Sequence, residues 1–311
     1  MNEQEIIEEL KIFEADLRPM PYWATLAQEK IDRWATGVPE GWSTGFKTID
    51  TYARLVNGEL TVIAARPGMG KTAIAMQMVE SVARQLVAAG DPGCVAVFSA
   101  EMSGWSLVIR MASALSGVNM HKMRMGKGDK SEIQKLKTAV DTLRSLPIWI
   151  DDCSGPTAQQ MLRQLAELNH TNPVRMMMFD FLELAGDRGD REDIRISRVV
   201  DQLHGIAKTL QIPVLALSQL NREVESRADK MPMLSDLRYS GMIEQAGDVI
   251  MFVMRPEYYV ERSMSVDVPE ADKRGVAYVQ VAKNKNGPVG LAKLAFVKDR
   301  AMFSDLAKET I

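Results

Sequence analysis

At 311 residues the chain is long enough for one sizeable core with a small appendage, and 46% hydrophobic with 25% charged residues is the composition of an ordinary soluble domain. A formal net charge of −3 leaves nucleic-acid binding open, because a basic loop or a ring lumen can act within a near-neutral protein. Cys94 and Cys153 stand in no metal spacing and exclude a disulfide scaffold, so a reducing cytoplasm is the expected location; an acidic N-terminus and the lack of a long apolar run speak against a secretory signal and a membrane span.

The chain opens with Ile6, Ile7, Leu10, Phe13 and Leu17 at helical spacing on an acidic background, a pattern that Pro19 and Pro21 are expected to end. A second short helical pattern sets Ala27, Ile31 and Trp34 on one face. Helices of this length do not hold alone, so each must cover its own domain or clasp a neighbouring subunit, and spacing does not choose between the two. A Gly- and Pro-rich loop, Gly37 to Gly45, follows. The expected division is a helical extension over residues 1–40 and a single α/β domain over residues 41–311.

The most informative stretch is Glu59 to Thr72, E-L-T-V-I-A-A-R-P-G-M-G-K-T. Leu60 to Ala64 reads as a strand, the next residues as a turn, and the segment after Thr72 as a helix. That is the order of a phosphate-binding loop, in which backbone amides and the start of a helix receive an anion. Ala65, Arg66, Pro67, Gly68, Met69, Gly70, Lys71 and Thr72 are therefore the candidate nucleotide-binding residues. Lys71 can reach the β and γ phosphates, and Thr72 can hold Mg²⁺. Ala65 stands where the pattern G-x-x-x-x-G-K-T has its first glycine. A buried helix after a Gly-rich turn would explain the glycines but not a lysine at the positive end of the helix dipole.

Further along, Val95 to Ser99 is a short apolar strand followed at once by Glu101. A glutamate there is either a helix-start charge or a general base over the carboxyl ends of a parallel sheet, and the phosphate loop upstream favours the base. The basic run His121 to Lys130 reads as a solvated loop. Ile133, Leu136, Val140 and Leu143 make an amphipathic helix, and Ile148 to Ile150 a short strand. Thr157 and Gln160 form a capping box ahead of Met161, Leu162, Leu165 and Leu168. Val174 to Phe179 is a buried strand whose three methionines fill core, and Asp180 at its end is the candidate magnesium-coordinating acid beside Lys71 and Thr72.

After a charged loop, Ile196, Val199, Leu203, Ala207 and Leu210 line one helix face, with His204 beside them as a structural or surface histidine. Ile212 to Leu217 is another buried strand, and Gln219 after it can read a γ phosphate or orient water. Asn221 to Gly241 reads as a mobile polar loop whose Arg222, Arg227, Lys230 and Arg238 are candidates for phosphate-backbone contact. Asp248 to Met254 is a strand, Val266 to Arg274 an exposed hairpin or loop, and Val276 to Ala282 a strand running into Lys283, Asn284, Lys285 and an Asn-Gly-Pro turn. Leu294 to Val297 and Ala301 to Phe303 add edge or returning strands. The expected fold class is α/β, with a mostly parallel central sheet and hairpin strands toward the C-terminus.

Together these residues resemble the C-terminal motor domain of the DnaB family of replicative helicases, a RecA-like fold, over roughly Trp42 to Phe303. The likeness rests on T-G-F-K-T-I-D from Thr44, A-R-P-G-M-G-K-T from Ala65, F-S-A-E-M-S from Phe98, M-F-D-F-L-E-L from Met178 and L-S-Q-L-N-R-E-V-E-S-R from Leu217. It continues through S-G-M-I-E-Q-A-G-D-V-I-M-F from Ser240 and A-K-N-K-N-G-P-V-G from Ala282. The resemblance implies ATP and Mg²⁺ as ligands, Glu101 as the activator of water, Gln219 as a γ-phosphate sensor, and Lys283 and Lys285 as groups reaching a neighbour's nucleotide. It implies single-stranded DNA held by the loop ending at Arg238, Tyr239, Ser240 and Gly241. It also implies a homo-oligomer, expected as a hexameric ring, that moves 5′ to 3′ and unwinds forked duplex, with no membrane partner. Three departures stand out: about 40 residues precede the motor where the family usually has a large helical domain that meets primase, Lys285 stands where an arginine is usual, and Tyr239 where an acidic residue is common. The short extension resembles the family's linker helix, and a primase or helicase loader is left as an open expectation. Two other readings compete: a RecA-like recombination or repair ATPase that binds DNA without unwinding it, and a nucleotide-switched loading or scaffold protein.

Overall fold

The strands that read as continuous apolar runs are the ones covered on both faces. In the computed structural model, which describes residues 17–187, 191–238 and 240–306, these are Leu60–Ala65 (β1), Cys94–Ser99 (β2), Val174–Asp180 (β4), Val214–Gln219 (β5) and Val249–Met254 (β6). Parallel strands joined by crossover helices have no face left for water, and their sequences show it. The short Ile148–Asp151 (β3) closes one edge, and Val276–Asn284 (β7), Gly290–Val297 (β8) and Met302–Asp305 (β9) extend the other. The order across the sheet is β3-β2-β4-β5-β1-β6-β7-β8-β9. Pairing is parallel from β3 to β6 and antiparallel from β6 to β9. This is the mostly parallel sheet with hairpin strands toward the C-terminus expected from the alternation of strands and helices, as the RecA-like resemblance also implies.

The helices, in chain order, are Met20–Ala35 (α1), Lys47–Asp50 (α2), Lys71–Ala89 (α3), Gly104–Ser116 (α4), Met120–Arg124 (α5), Lys130–Arg144 (α6), Ala158–Thr171 (α7), Glu192–Leu210 (α8), Ser240–Ala246 (α9) and Pro256–Val260 (α10). Helices α3, α4 and α6 cover one face of the sheet, and α7, α8 and α9 the other. The methionines of β4 divide between the layers as strand alternation requires. Met176 and Met178 enter the first core, and Met177 the second. All three are fully buried, as core filling demands. The Thr157–Gln160 capping box is present, with Thr157 N–H donating to Gln160 Oε1 at 2.8 Å and Gln160 N–H to Thr157 Oγ1 at 3.1 Å.

Some local features go beyond or change the expectations. Pro19 and Pro21 start a helix: Pro19 is the N-cap of α1 and Pro21 lies in its first turn, where a missing N–H costs nothing. Most of the preceding apolar stripe, Ile6 to Phe13, lies outside the described residues. Among the described residues nothing buries helix α1, and Trp23, Ile31 and Trp34 are about half exposed. Within the basic run, Met120 to Arg124 is a helical turn and Asp129 caps α6. Among the described residues no helix is long and apolar enough to cross a membrane.

The largest change concerns the segment after β5, expected as a mobile loop. It is folded onto itself, with short 3₁₀ helices at Arg222–Ser226 and Leu234–Asp236, a Leu220–Leu237 bridge and a buried Val224. Lys230 is buried, and its amine donates to the carbonyls of Glu225 and Arg227 at 2.6 Å each. The Arg227 guanidinium grips both oxygens of the buried Asp236 carboxylate, with one contact at 2.9 Å, and so stays well protonated. Removing one partner of a buried ion pair strands the other charge. Asp236→Ala is therefore expected to lower stability by about 3 kcal/mol. Urea denaturation checks this, and a loss below about 1 kcal/mol would show that water reaches Arg227.

Candidate functional site

The phosphate-loop residues begin at the carboxyl end of β1, where Ala65 closes the strand between Gln219 of β5 and Val253 of β6. Ala65 is almost fully buried and extended, so its methyl group is accommodated where a glycine was the usual residue. Gly68 and Gly70 both take left-handed backbone, with φ of 82° and 92°. A side chain at either would also collide with a neighbour: a Cβ would fall 2.8 Å from the Tyr258 ring at Gly68 and 2.8 Å from the Phe303 ring at Gly70. The loop is held from below. The Arg255 guanidinium donates to the Gly68 carbonyl at 3.0 Å while stacking 3.7 Å from the centre of Phe296. Arg66 is tied sideways to Glu225 at 2.8 Å and to the Leu220 carbonyl at 2.9 Å, which leaves its guanidinium engaged in the protein.

Lys71 opens α3. Its amine is buried, has no hydrogen-bond partner among the described residues, and lies 3.8 Å from Asp180 Oδ1 and 4.1 Å from the centre of the Phe181 ring. Burial pulls the ammonium below the usual lysine range, opposed in order by Asp180, Glu183 and Glu101. A buried cation without acceptors at a helix start is unfavourable until an anion arrives, and phosphate oxygens would supply both charge and acceptors. Beside it, the Thr72 hydroxyl donates to Asp180 Oδ2 at 2.7 Å, and Asp180 Oδ1 has no hydrogen-bond partner among the described residues although Asp180 is fully buried. A hydroxyl and a carboxylate joined in this way form an all-oxygen donor pair that fits Mg²⁺.

Sheet register brings the remaining candidates to the same rim. Ser99 pairs with Asp180, which sets Glu101 two residues past the end of β2, exposed to solvent. Gln219 ends β5 opposite Ala65. Glu183, which sequence reasoning left without a role, joins them: its Oε1 accepts from Ser218 Oγ at 2.8 Å and from Gln219 N–H at 2.9 Å. The one sequence signal was its place in the run M-F-D-F-L-E-L, three residues after Asp180.

Lys283 and Lys285 are not at this rim. Asn284 pairs with Val249 at the amino end of β6, the opposite end of the sheet. The Lys283 amine donates to the carbonyls of Glu244 and Gly247 at 2.5 and 2.7 Å, at the end of α9. The Lys285 amine lies 3.4 Å from Asp248 Oδ1 and remains well exposed. Asp248 also faces His204 Nε2 at 3.2 Å, and burial holds that imidazole below its ordinary pKa.

Of the residues expected at nucleic acid, Arg222 and Gly241 are exposed and Arg238 is half-buried, all on the segment that continues from Gln219. Lys230 and Arg227 are withdrawn from this surface by the internal bonds described above, a correction to the reading of both as backbone contacts. Tyr239 lies outside the described residues, as does the side chain of Ser240.

Comparison with known proteins adds to this geometry. Residues 41–305 match the sequence model of a family described as the DnaB-like helicase C-terminal domain. The chain is 36% identical over 277 residues to the replicative DNA helicase DnaC of Bacillus subtilis (strain 168), covering 88% of this chain and 57% of that protein. It is 35% identical over 280 residues to the replicative DNA helicase DnaB of Geobacillus stearothermophilus, covering 88% of this chain and 57% of that protein. The chain thus spans little more than half the length of these relatives. Among solved structures, one described as an ATPase domain superposes with a TM-score of 0.83 at 30% identity, covering 94% of this chain and 100% of that one. A DnaB-like replicative helicase, described together with its interactions with primase, superposes with a TM-score of 0.81 at 31% identity, covering 98% of this chain and 72% of that one.

Proposed function

Because the chain belongs to the DnaB-like helicase C-terminal domain family, we propose that it is an ATP-hydrolysing motor that encircles single-stranded DNA and unwinds the duplex ahead of it. The observation that carries this reading is the buried, unpartnered Lys71 amine between Asp180 and a loop whose two glycines can turn their amides toward a phosphate chain. Lys71 and the loop amides bind the β and γ phosphates. Thr72 and Asp180 are the residues that would hold Mg²⁺, which when bound supplies positive charge against the phosphate oxygens. Glu101 accepts the proton as water attacks the γ phosphorus. The bond to the bridging oxygen breaks and leaves ADP and phosphate, while Gln219 stands where it can register the γ phosphate.

Lys285 cannot take part in its own site, since β1 alone spans about 20 Å between the two rims at roughly 3.3 Å per residue. That separation supports action on a neighbouring subunit's nucleotide and hence a closed ring, taken as hexameric and as moving 5′ to 3′ by family likeness. Residues 1–40 are read as the extension whose helix α1, bare on its own domain, packs on a neighbour. A primase or a helicase loader is the protein partner that family likeness suggests.

Strand displacement from a forked duplex with ATP, run beside a Glu101→Gln control, tests the reading. A protein that hydrolyses ATP on DNA yet separates no strands would be a recombination-type ATPase instead. The DNA contact has its own test. Arg238→Ala is expected to weaken single-strand affinity alike for unrelated sequences and to flatten the salt dependence by about 0.7 in the log–log slope, one phosphate contact fewer. An unchanged affinity across a salt titration, with assembly intact, would remove Arg238 from the DNA path.

A further inference from the structure

Glu183 lies in the 3₁₀ turn Leu182–Leu184 after β4, but its carboxylate reaches across to the end of the next strand. There Oε1 receives both the Ser218 hydroxyl and the Gln219 backbone N–H, while Oε2 is buried without a hydrogen-bond partner among the described residues. The turn is braced on its far side by Arg195, whose guanidinium donates to the carbonyls of Glu183, at 3.0 Å, and of Ala185. A carboxylate held by two uncharged donors in a half-buried place is costly without a counter-charge. The Lys71 ammonium is near enough to feel the Glu183 charge.

We propose that Glu183 is a positioning residue for ATP hydrolysis, fixing the carboxyl end of β5 so that Gln219 is held at the rim between Asp180 and the phosphate loop. The proposal rests on the reading of Gln219 as the γ-phosphate sensor. Strand β4 ends at Asp180 and β5 at Gln219, yet the last paired residues between them are Phe179 and Ala216, so the ladder does not run to the end of β5. The Glu183 bonds to Ser218 and Gln219 continue the connection where the ladder stops. Gln219 is also the point from which the candidate DNA segment departs, so the clamp fixes the junction between nucleotide rim and DNA path.

The test uses the assembled protein with DNA and a double-mutant cycle. Glu183→Gln keeps an acceptor oxygen at the same reach and should hydrolyse ATP within about threefold of wild type. Glu183→Ala removes the acceptor and should lose roughly 10- to 100-fold in kcat, with KM for ATP within about twofold, since it misplaces a group that acts after binding. In a Gln219→Ala background the same change should cost almost nothing further, because the group being positioned is gone. A merely structural role would lower the melting temperature without this non-additivity. Equal losses in Glu183→Gln and Glu183→Ala would overturn the proposal, as would losses that add to that of Gln219→Ala. Should Glu183→Ala not fold, Glu183→Asp, one methylene shorter, takes its place in the cycle. If Gln219→Ala alone leaves turnover unchanged, the sensor reading has failed, a result distinct from additive losses.

Discussion

Glu101→Gln is expected to bind ATP as tightly as wild type and to hydrolyse it roughly 10²- to 10⁴-fold more slowly in the presence of DNA. Placement is the reason. Glu101 follows β2, whose last residue Ser99 is in register with Asp180, so its loop opens on the same rim as Lys71 and Thr72. It is exposed, as a base that must take a proton from a water molecule and return it to solvent should be. Asp180 is already committed to Thr72, and Glu183 to the end of β5, so neither carboxylate is as well situated to strip a proton from an incoming water. An amide at position 101 keeps the size and loses the basicity. Steady-state turnover with saturating single-stranded DNA, set beside equilibrium nucleotide binding, measures the effect. Turnover within about twofold of wild type would remove Glu101 as the base.

What could be read in the sequence follows from where the physical signal lies. Buried parallel strands leave continuous apolar runs, so β1, β2, β4, β5 and β6 were visible, and Lys71, Thr72 and Asp180 stood out as polar groups against those runs. Glu183 did not, because its meaning depends on Ser218 and Gln219, which are distant in the chain and brought to it only by sheet register. Lys230 and Arg227 look like free cations on a polar segment, and nothing local announces that Asp236 and two carbonyls turn inward to meet them. The same holds for Lys283, whose amine sits on carbonyls at the end of α9. Helix α1 was visible as a pattern, but its apolar face finds no cover among the described residues of its own chain, so spacing could not say what it packs against.

Lys285→Ala is expected to bind ATP and to assemble, yet to hydrolyse ATP roughly 10²-fold more slowly than wild type. The expected loss sits below the range of an arginine finger because an ammonium is a point charge without the two-pronged donor fork. The amine is well exposed, and its contact with Asp248 is an ion pair open to water, worth about 0–1 kcal/mol, so a phosphate on a neighbouring subunit can draw it away. Lys283 is the more firmly held of the two, which makes Lys285 the freer to reach across. Its own phosphate loop lies at the other end of β1, so Lys285 does not reach its own nucleotide. Mixing Lys285→Ala with Lys71→Ala subunits should therefore restore part of the activity, since some interfaces then join an intact phosphate loop to an intact Lys285. Lys285→Arg should keep or raise turnover, because a guanidinium can hold two phosphate oxygens at once. Normal hydrolysis by Lys285→Ala would end the trans reading. Failure of the mixed subunits to recover any activity would mean that Lys285 acts within its own chain, through Asp248 and the amino end of β6.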